Sequence, residues 1–333
     1  MPPSYEGKNV LVTGGAGFIG SKLVIELRKR GANVTVLDDF SFGDLQNIRK
    51  LKVKVICGDL REEEAVVKAA KEQNIIFHLA ARPFIPLCYQ RPKEFFAVNA
   101  DGTLNLMLAT LNENSDMIVH VSSSEVYGTA QYVPMDENHP VNPHSTYAVS
   151  KLAADRICFS LYKEHGMPIT IIRPFNTYGP RETHPYIVPT VISQLTHSNK
   201  LVLGNLESSR DFTYVLDTVR ALLIAGQRKQ AVGEVINIGS GKDVKIRDLV
   251  YLITRLMGKK KIEISQDKSR LRPFEVDRLC ANYDKANRIL GWEPTISLED
   301  GLKKTIDWYL TKGAEWPWER NPFYIELLKL SSS

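Results

Sequence analysis

The 333-residue chain reads as an α/β protein: a doubly wound parallel sheet followed by a smaller α/β region. Three observations predict it. Short apolar runs alternate with helical patterns through the first half, as parallel strands and their crossover helices require. A glycine-rich turn, Thr13-Gly-Gly-Ala-Gly-Phe-Ile-Gly20, follows the first apolar run and opens the first helical pattern. After Pro174 the alternation gives way to a stretch rich in Pro, Gly, Tyr and charge.

The elements follow in order. Apolar runs predict strands over residues 9–13, 33–37, 53–57, 75–79, 117–122 and 169–173. Between them, residues 19–30, 62–73, 94–111 and 147–165 carry helical patterns. Gly31 stands where the first helix should stop, a common use of glycine. Residues 176–189 read as loop, and 235–238 as a further strand ending at Gly239-Ser-Gly241. The expected division is 1–175 for the first domain and 176–333 for the second region, with segments of the latter packing back onto the former.

Bulk properties exclude several classes. The net charge of +5 is small, and Lys259-Lys260-Lys261 is a short run in a predicted turn, so no nucleic-acid partner is expected. A mild positive balance suits an anionic ligand. Cys57, Cys88, Cys158 and Cys280 show no CxxC spacing and join no histidine cluster, so no metal site or disulfide is expected. They read as reduced thiols of a cytoplasmic protein. Residues 1–8 lack the apolar core of a signal peptide, and no run nears the roughly 18 apolar residues that span a membrane.

The glycine turn carries the first chemistry. Gly14, Gly17 and Gly20, with Phe18 and Ile19 between them, allow a tight turn and close approach of a pyrophosphate to the backbone. The helix that follows offers free N–H groups and a positive dipole end. Such a turn fits dinucleotide binding on a Rossmann-type sheet, although glycines at a strand–helix junction also serve structure alone. The second strand runs into Asp38 and Asp39. An acid there accepts both hydroxyls of an adenosine ribose and repels a 2′-phosphate. No arginine stands beside the pair, so NAD is expected rather than NADP. Either acid could instead cap a turn. Asp59, after the third strand, could hold an adenine amine or cap the helix beginning at Arg61.

Tyr147 and Lys151 lie at i and i+4, on one helix face. An ammonium beside a phenol stabilises the phenolate and draws its pKa from about 10 toward neutrality. The phenolate can take a proton from a substrate hydroxyl while hydride leaves the same carbon. Ser122, Ser123 and Ser124 close the fifth strand, and Ser123 is expected to share the substrate proton, the alternative being a turn or cap role. Glu125 follows directly. A carboxylate just past a core strand is costly unless solvated, paired or employed. It reads either as a solvated turn residue or as a participant in the reaction.

Taken together and in order, these segments and others resemble the extended short-chain dehydrogenase family of NAD-dependent sugar-nucleotide epimerases and dehydratases. The matching segments span nearly the whole chain. They include the glycine turn, His78-Leu-Ala-Ala81, Asn99-Ala-Asp-Gly-Thr103, Ser122-Ser-Ser-Glu-Val-Tyr-Gly128, Tyr147-Ala-Val-Ser-Lys151, Arg173-Pro-Phe-Asn-Thr-Tyr-Gly-Pro-Arg181, Arg210-Asp-Phe-Thr-Tyr-Val215, Ile236-Asn-Ile-Gly-Ser-Gly241 and Leu290-Gly-Trp-Glu-Pro294. The resemblance adds Leu60, Leu79, Ala80, Ala81 and Asn99 to the expected cofactor site. It implies a sugar-nucleotide site from Arg82, Asn176, Val188, Leu203, Arg210, Arg272 and Glu275, with both later arginines and Asn176 on the diphosphate. The alternative for the arginines is a surface ion pair.

Within that family, simple 4-epimerases tend to carry a small or uncharged polar residue where Glu125 stands, whereas 4,6-dehydratases and UDP-xylose synthases carry Glu. In dTDP-glucose dehydratases an Asp precedes that Glu and acts as the acid; here the position is Ser124, which leaves the acid open. The combination of Ser122–Gly128, Arg173–Arg181, Leu203–Thr218 and Arg270–Arg278 looks most like UDP- or GDP-N-acetylglucosamine 4,6-dehydratases of legionaminic-acid-type pathways. The resemblance therefore implies C4 oxidation, loss of water across C5–C6 and hydride return to C6. The alternatives are 4-epimerisation, decarboxylation of a UDP-glucuronate, 5,6-dehydration and a non-catalytic NAD-binding module. It also implies a homodimer through the helices at 94–111 and 147–165, unless both are simply buried in one subunit.

Overall fold

Seven parallel strands form the centre of the computed structural model, which describes residues 4–312 together with Trp316 and Trp318. The remainder of the predicted 176–333 region lies outside the described residues. The strands are β1 (Asn9–Thr13), β2 (Asn33–Asp38), β3 (Lys54–Cys57), β4 (Ile75–His78), β5 (Met117–Val121) and β6 (Ile169–Pro174), followed after three further strands by β10 (Val235–Ile238). Their spatial order is β3-β2-β1-β4-β5-β6-β10. Because every strand runs the same way, helices must return over both faces, and the strands inside the sheet are buried, whereas the edge strand β3 is largely exposed. The order reverses between β1 and β4, which opens a crevice at their carboxyl ends.

The six strands and four helices expected in the first half are present, with one interruption. Residues 94–111 do not form a single helix. Pro92–Phe96 and Gly102–Thr110 are joined by a π-helical turn over Ala97–Asp101. A π turn accommodates an extra residue and redirects the side chains on it, often beside a functional site. Here it turns Asn99 toward the loop after β4, where its amide is used. At the end of the first helix, Phe18–Lys29, Gly31 takes φ +83°, the left-handed value that stops a helix.

The region expected as loop over 176–189 contains β7 (Asn176–Tyr178) and the start of the helix Ile187–His197. Three residues are too short a run to be read from pattern; pairing decides them. β7 lies parallel to β9 (Ser209–Tyr214), whose other edge takes β11 (Asp243–Lys245) in antiparallel register. A separate parallel pair joins β8 (Lys200–Leu203) to β12 (Glu263–Gln266). β10 pairs with β6 in the main sheet, so the chain returns to the first layer after building the second.

Asp211, on β9, ties these pieces together. Its carboxylate accepts from Ser240 N and Oγ at 2.7 and 2.6 Å, from Gly241 N at 2.9 Å and from Ala281 N at 3.0 Å. Burial raises its pKa to about 6 against those bonds. Asp211→Ala removes the acceptor of three amides, that of Ala281 buried and those of Ser240 and Gly241 partly so. It should destabilise the protein by about 3 kcal/mol or more, read from urea unfolding midpoints.

Candidate active site

A cavity of about 1050 Å³ opens at the carboxyl ends of the central strands and extends under β8, β9 and the segment 270–275. All the site residues expected from the sequence line it except Asn99.

At one end lies the glycine turn. Gly14 has φ +68°, and a Cβ there would stand 2.8 Å from Ala80 N; a Cβ on Gly20 would meet Gly14 O at 2.1 Å. Gly17 precedes the first helix in an extended conformation with no side-chain cap, so the first amides of Phe18–Lys29 face the cavity without one. Side-chain-free backbone and uncapped amides at a helix start suit a pyrophosphate, and these residues fit a dinucleotide.

The acids beyond β2 are braced. Asp38 accepts from Ala16 N at 2.8 Å and Phe40 N at 2.9 Å, joining the glycine turn to the following loop, and burial raises its pKa. Asp59 accepts from Arg61 N at 2.9 Å and pairs with the Arg61 guanidinium at 2.7 Å. It therefore caps the turn at Arg61 while still lining the cavity.

Two residues make contacts that the sequence reading did not include. No arginine neighbours Asp38 and Asp39 in sequence, yet the fold delivers one. Arg82 reaches across to Asp39 Oδ2 at 2.8 Å, donates to Ser41 Oγ at 2.7 Å and to Glu94 at 2.8 Å. Its guanidinium thus sits among acids of the cofactor-side loops, although it was expected to face the sugar nucleotide. The second is Asn99. It is buried, its Oδ1 accepts from Arg82 N at 2.7 Å, and its amide donates to Arg82 O and to Ser150 Oγ. Both ends of the amide are used inside the protein, so Asn99 braces the wall of the cavity.

At the centre of the cavity the β5 strand ends and a 3₁₀ turn, Ser124–Tyr127, begins. Ser123 caps it, its Oγ accepting from Glu125 N at 3.2 Å. Opposite, Ser145 caps the helix Thr146–His165 and places Tyr147 in its first turn. Lys151, one turn on, donates to Val121 O at 2.7 Å. Burial pushes the Tyr147 phenol up to about 12, opposed by a hydrogen bond with Ser123 and reinforced by the Glu125 charge. Burial also pulls the Lys151 ammonium down to about 8. The expected drop of the phenol toward neutrality is therefore absent: desolvation outweighs every favourable partner of the phenolate in the protein alone.

Glu125 is not a solvated turn residue. It is 9% exposed, and its Oε1 lies 3.5 Å from Arg272 Nη1. Arg272 Nε is 3.8 Å from Glu275, which is in turn 3.5 Å from Arg210. The two arginines and two glutamates alternate along one wall, and Arg210 is too buried for a surface pair. Asn176, Val188 and Leu203 line the same end.

Two lining residues carry no sequence signal. Tyr89 stands near Arg272 and Glu125, whose charges act on its phenol. Glu182 is fully buried with Oε2 lacking a hydrogen-bond partner among the described residues, and burial raises its pKa well above the carboxylate range. Burial of this kind comes from tertiary packing and leaves no local pattern.

A dinucleotide cradle on a Rossmann-type sheet, with a Ser–Tyr–Lys set at its centre and a wall of arginines beyond, defines an NAD-dependent enzyme of sugar nucleotides. The chain belongs to the GDP-mannose 4,6 dehydratase family, whose model matches residues 11–305. It is 34% identical over 306 residues to a putative UDP-glucose 4-epimerase of Methanocaldococcus jannaschii, covering 90% of this chain and 97% of that protein. It is 32% identical to the dTDP-D-glucose 4,6-dehydratase of Bos taurus, covering 95% and 92%. Among solved structures, the dTDP-glucose 4,6-dehydratase DesIV from Streptomyces venezuelae, with NAD and TYD bound, superposes with a TM-score of 0.85. That pair shares 28% identity over 91% of this chain and 97% of the other.

Lys151 yields a stability prediction. Its folded pKa lies below its ordinary value, so between about 8 and 10.5 the unfolded chain binds the extra proton and stability rises with pH. Below that interval the buried charge carries its full penalty. Lys151→Met should stabilise the fold by roughly 2–3 kcal/mol at neutral pH. The gain should shrink toward zero above the interval, as urea unfolding at the two pH values would show.

Proposed function

We propose that this protein is an NAD-dependent nucleotide-sugar 4,6-dehydratase acting on UDP-N-acetylglucosamine in the cytoplasm. The observation that carries the reading is Glu125: a buried carboxylate in the cavity wall, its charge acting on the Tyr147 phenol. In this reading residues 1–175 hold the dinucleotide and 176–333 the sugar nucleotide. The glycine turn takes the pyrophosphate, and Asp38 takes the adenosine ribose. Arg210, Arg272 and Asn176 take the diphosphate of the substrate.

NAD, when bound, supplies a hydride acceptor at the sugar C4 and returns the hydride at C6. The protein supplies the proton transfers. Tyr147 removes the proton of the C4 hydroxyl through Ser123, once Lys151 and the bound cofactor offset the desolvation that keeps the phenol neutral. The resulting ketone acidifies C5–H, and Glu125 removes that proton. The C6 hydroxyl leaves as water with a proton from Glu125, Ser124 or an ordered water, and C5 takes up a proton again as the hydride reaches C6.

Mass spectrometry of UDP-N-acetylglucosamine incubated with the NAD-loaded enzyme should show loss of one water and a ketone that borodeuteride traps. Tyr147→Phe should abolish this, and Glu125→Gln should lower the rate by about 10²–10⁴-fold, the usual worth of a positioned acid–base group. Similarity to the Methanocaldococcus protein favours a second reading, 4-epimerisation. An unchanged mass with a new galacto isomer would establish it and reject the dehydratase.

We also propose a homodimer. Phe96, Leu104 and Leu108 are 41%, 37% and 50% exposed on the helical run 92–110, and Val149 is 43% exposed on Thr146–His165. Apolar residues grouped on two neighbouring helices call for a covering surface. Light scattering should give twice the chain mass, and Leu108→Glu combined with Val149→Glu should give a monomer.

A further inference from the structure

Behind Tyr147 and Lys151, away from the cavity, lies a buried polar row that the reaction above does not use. Thr13, His78 and His120 stand side by side on β1, β4 and β5, in register at the carboxyl end of the sheet. His78 bridges Thr13 Oγ1 at 2.8 Å and Thr103 Oγ1 at 2.9 Å. The His120 ring lies 5.3 Å from that of His78, tilted by 36°, and its Nε2 lies 3.3 Å from Asp155 Oδ1.

Asp155 sits on the Thr146–His165 helix one turn beyond Lys151 and two turns beyond Tyr147, and is 1% exposed. Arg173 on β6 clamps one of its oxygens, with Nε and Nη2 each 3.0 Å from Oδ2. Arg173 is itself held, lying 4.9 Å over the Tyr127 ring, whose hydroxyl donates to Asn237 on β10 at 2.8 Å. The other oxygen, Oδ1, faces His120 and has no well-aligned hydrogen bond among the described residues. The groups around the carboxylate are His120 and Ser122 from the β5 end, Arg173 from β6, Tyr127 from the 3₁₀ turn, His78 behind His120, and Lys151 and Cys158 from its own helix.

A buried carboxylate–arginine pair is seldom a net source of stability, because the desolvation of both charges cancels much of their attraction. The placement of this one suggests another use. We propose that Asp155 is a positioning residue for the reaction: clamped by Arg173, its buried carboxylate stands one helical turn from Lys151 and attracts the ammonium that donates to Val121 at the end of β5. It does not line the cavity and acts only through its neighbours. Among the influences on Lys151, burial removes the proton and Asp155 is the largest that retains it. Asp155 itself stays ionised: burial opposes its charge, but His120 and Arg173 outweigh that.

The inference rests on the proposed catalytic roles of Tyr147 and Lys151, and its test separates the two. Its sign is unusual. Removing a negative charge eases ionisation of Tyr147 and also eases loss of the Lys151 proton. In Asp155→Asn both limbs of the pH profile of kcat should move to lower pH by about one unit. The KM for the sugar nucleotide should not change. In the NAD-loaded enzyme without sugar, the tyrosinate absorbance lost in Tyr147→Phe should titrate at correspondingly lower pH. Asp155→Glu should restore both limbs. Should Asp155→Asn leave Arg173 unpaired and fail to fold, Asp155→Asn with Arg173→Leu removes the pair together and should move the limbs in the same direction. A lower kcat with unmoved limbs and an unmoved tyrosinate titration would overturn the inference and leave a structural ion pair. A wild type inert toward every nucleotide sugar would overturn the functional reading itself, and the inference with it.

Discussion

An ammonium buried at the end of a parallel sheet is the constraint around which this site is arranged. Lys151 reaches the chain's interior from a helix and finds one acceptor there, the carbonyl of Val121. That carbonyl is available because β5 stops at Val121 and the chain turns into a 3₁₀ segment. The same stop brings Ser123 and Glu125 into the cavity. The strand end, the lysine and the Ser123 hydroxyl are therefore one geometric fact seen from three residues.

Desolvation sets the electrical character of everything nearby. It raises Tyr147, lowers Lys151 and keeps His78 neutral. Charges survive in this interior only where partners were built for them. Asp155 has Arg173, Asp39 has Arg82 and Glu125 has Arg272. Each arginine comes from a different part of the fold. The sheet supplies Arg173, the loop after β4 supplies Arg82, and the second region supplies Arg272. The second region also adds β10 to the edge of the main sheet, which fixes the wall that carries the arginines relative to the wall that carries the tyrosine.

What the sequence made legible was local. The glycine turn, the i and i+4 pair and the alternation of strand and helix each concern residues within a few positions of one another. Their physics is short-ranged, so pattern suffices. What it did not reveal was assembled across the chain. Arg82 reaches Asp39 over 43 positions, and Arg272 reaches Glu125 from the far side of the second region. The π turn at Ala97–Asp101 differs from a regular helix by one residue, too little to disturb the hydrophobic period, and the Asn99 it carries bonds to Arg82, 17 positions back. β7 became a strand because β9 lay beside it. In each case the deciding partner was distant in sequence.

The alternating wall of Arg210, Glu275, Arg272 and Glu125 has a consequence for any dianion that enters the cavity. The wall is already neutral. An incoming anion does not find waiting positive charge; it must take guanidinium contacts from carboxylates that hold them. Association there is an exchange, and its free energy is the difference between the contacts formed and those given up. Dissolved salt weakens both sides of that exchange, so ionic strength alters the outcome far less than it would for two unpartnered arginines. The wall thus acts as an ion exchanger with its own counter-ions attached, and a departing anion is replaced at once by a carboxylate of the protein.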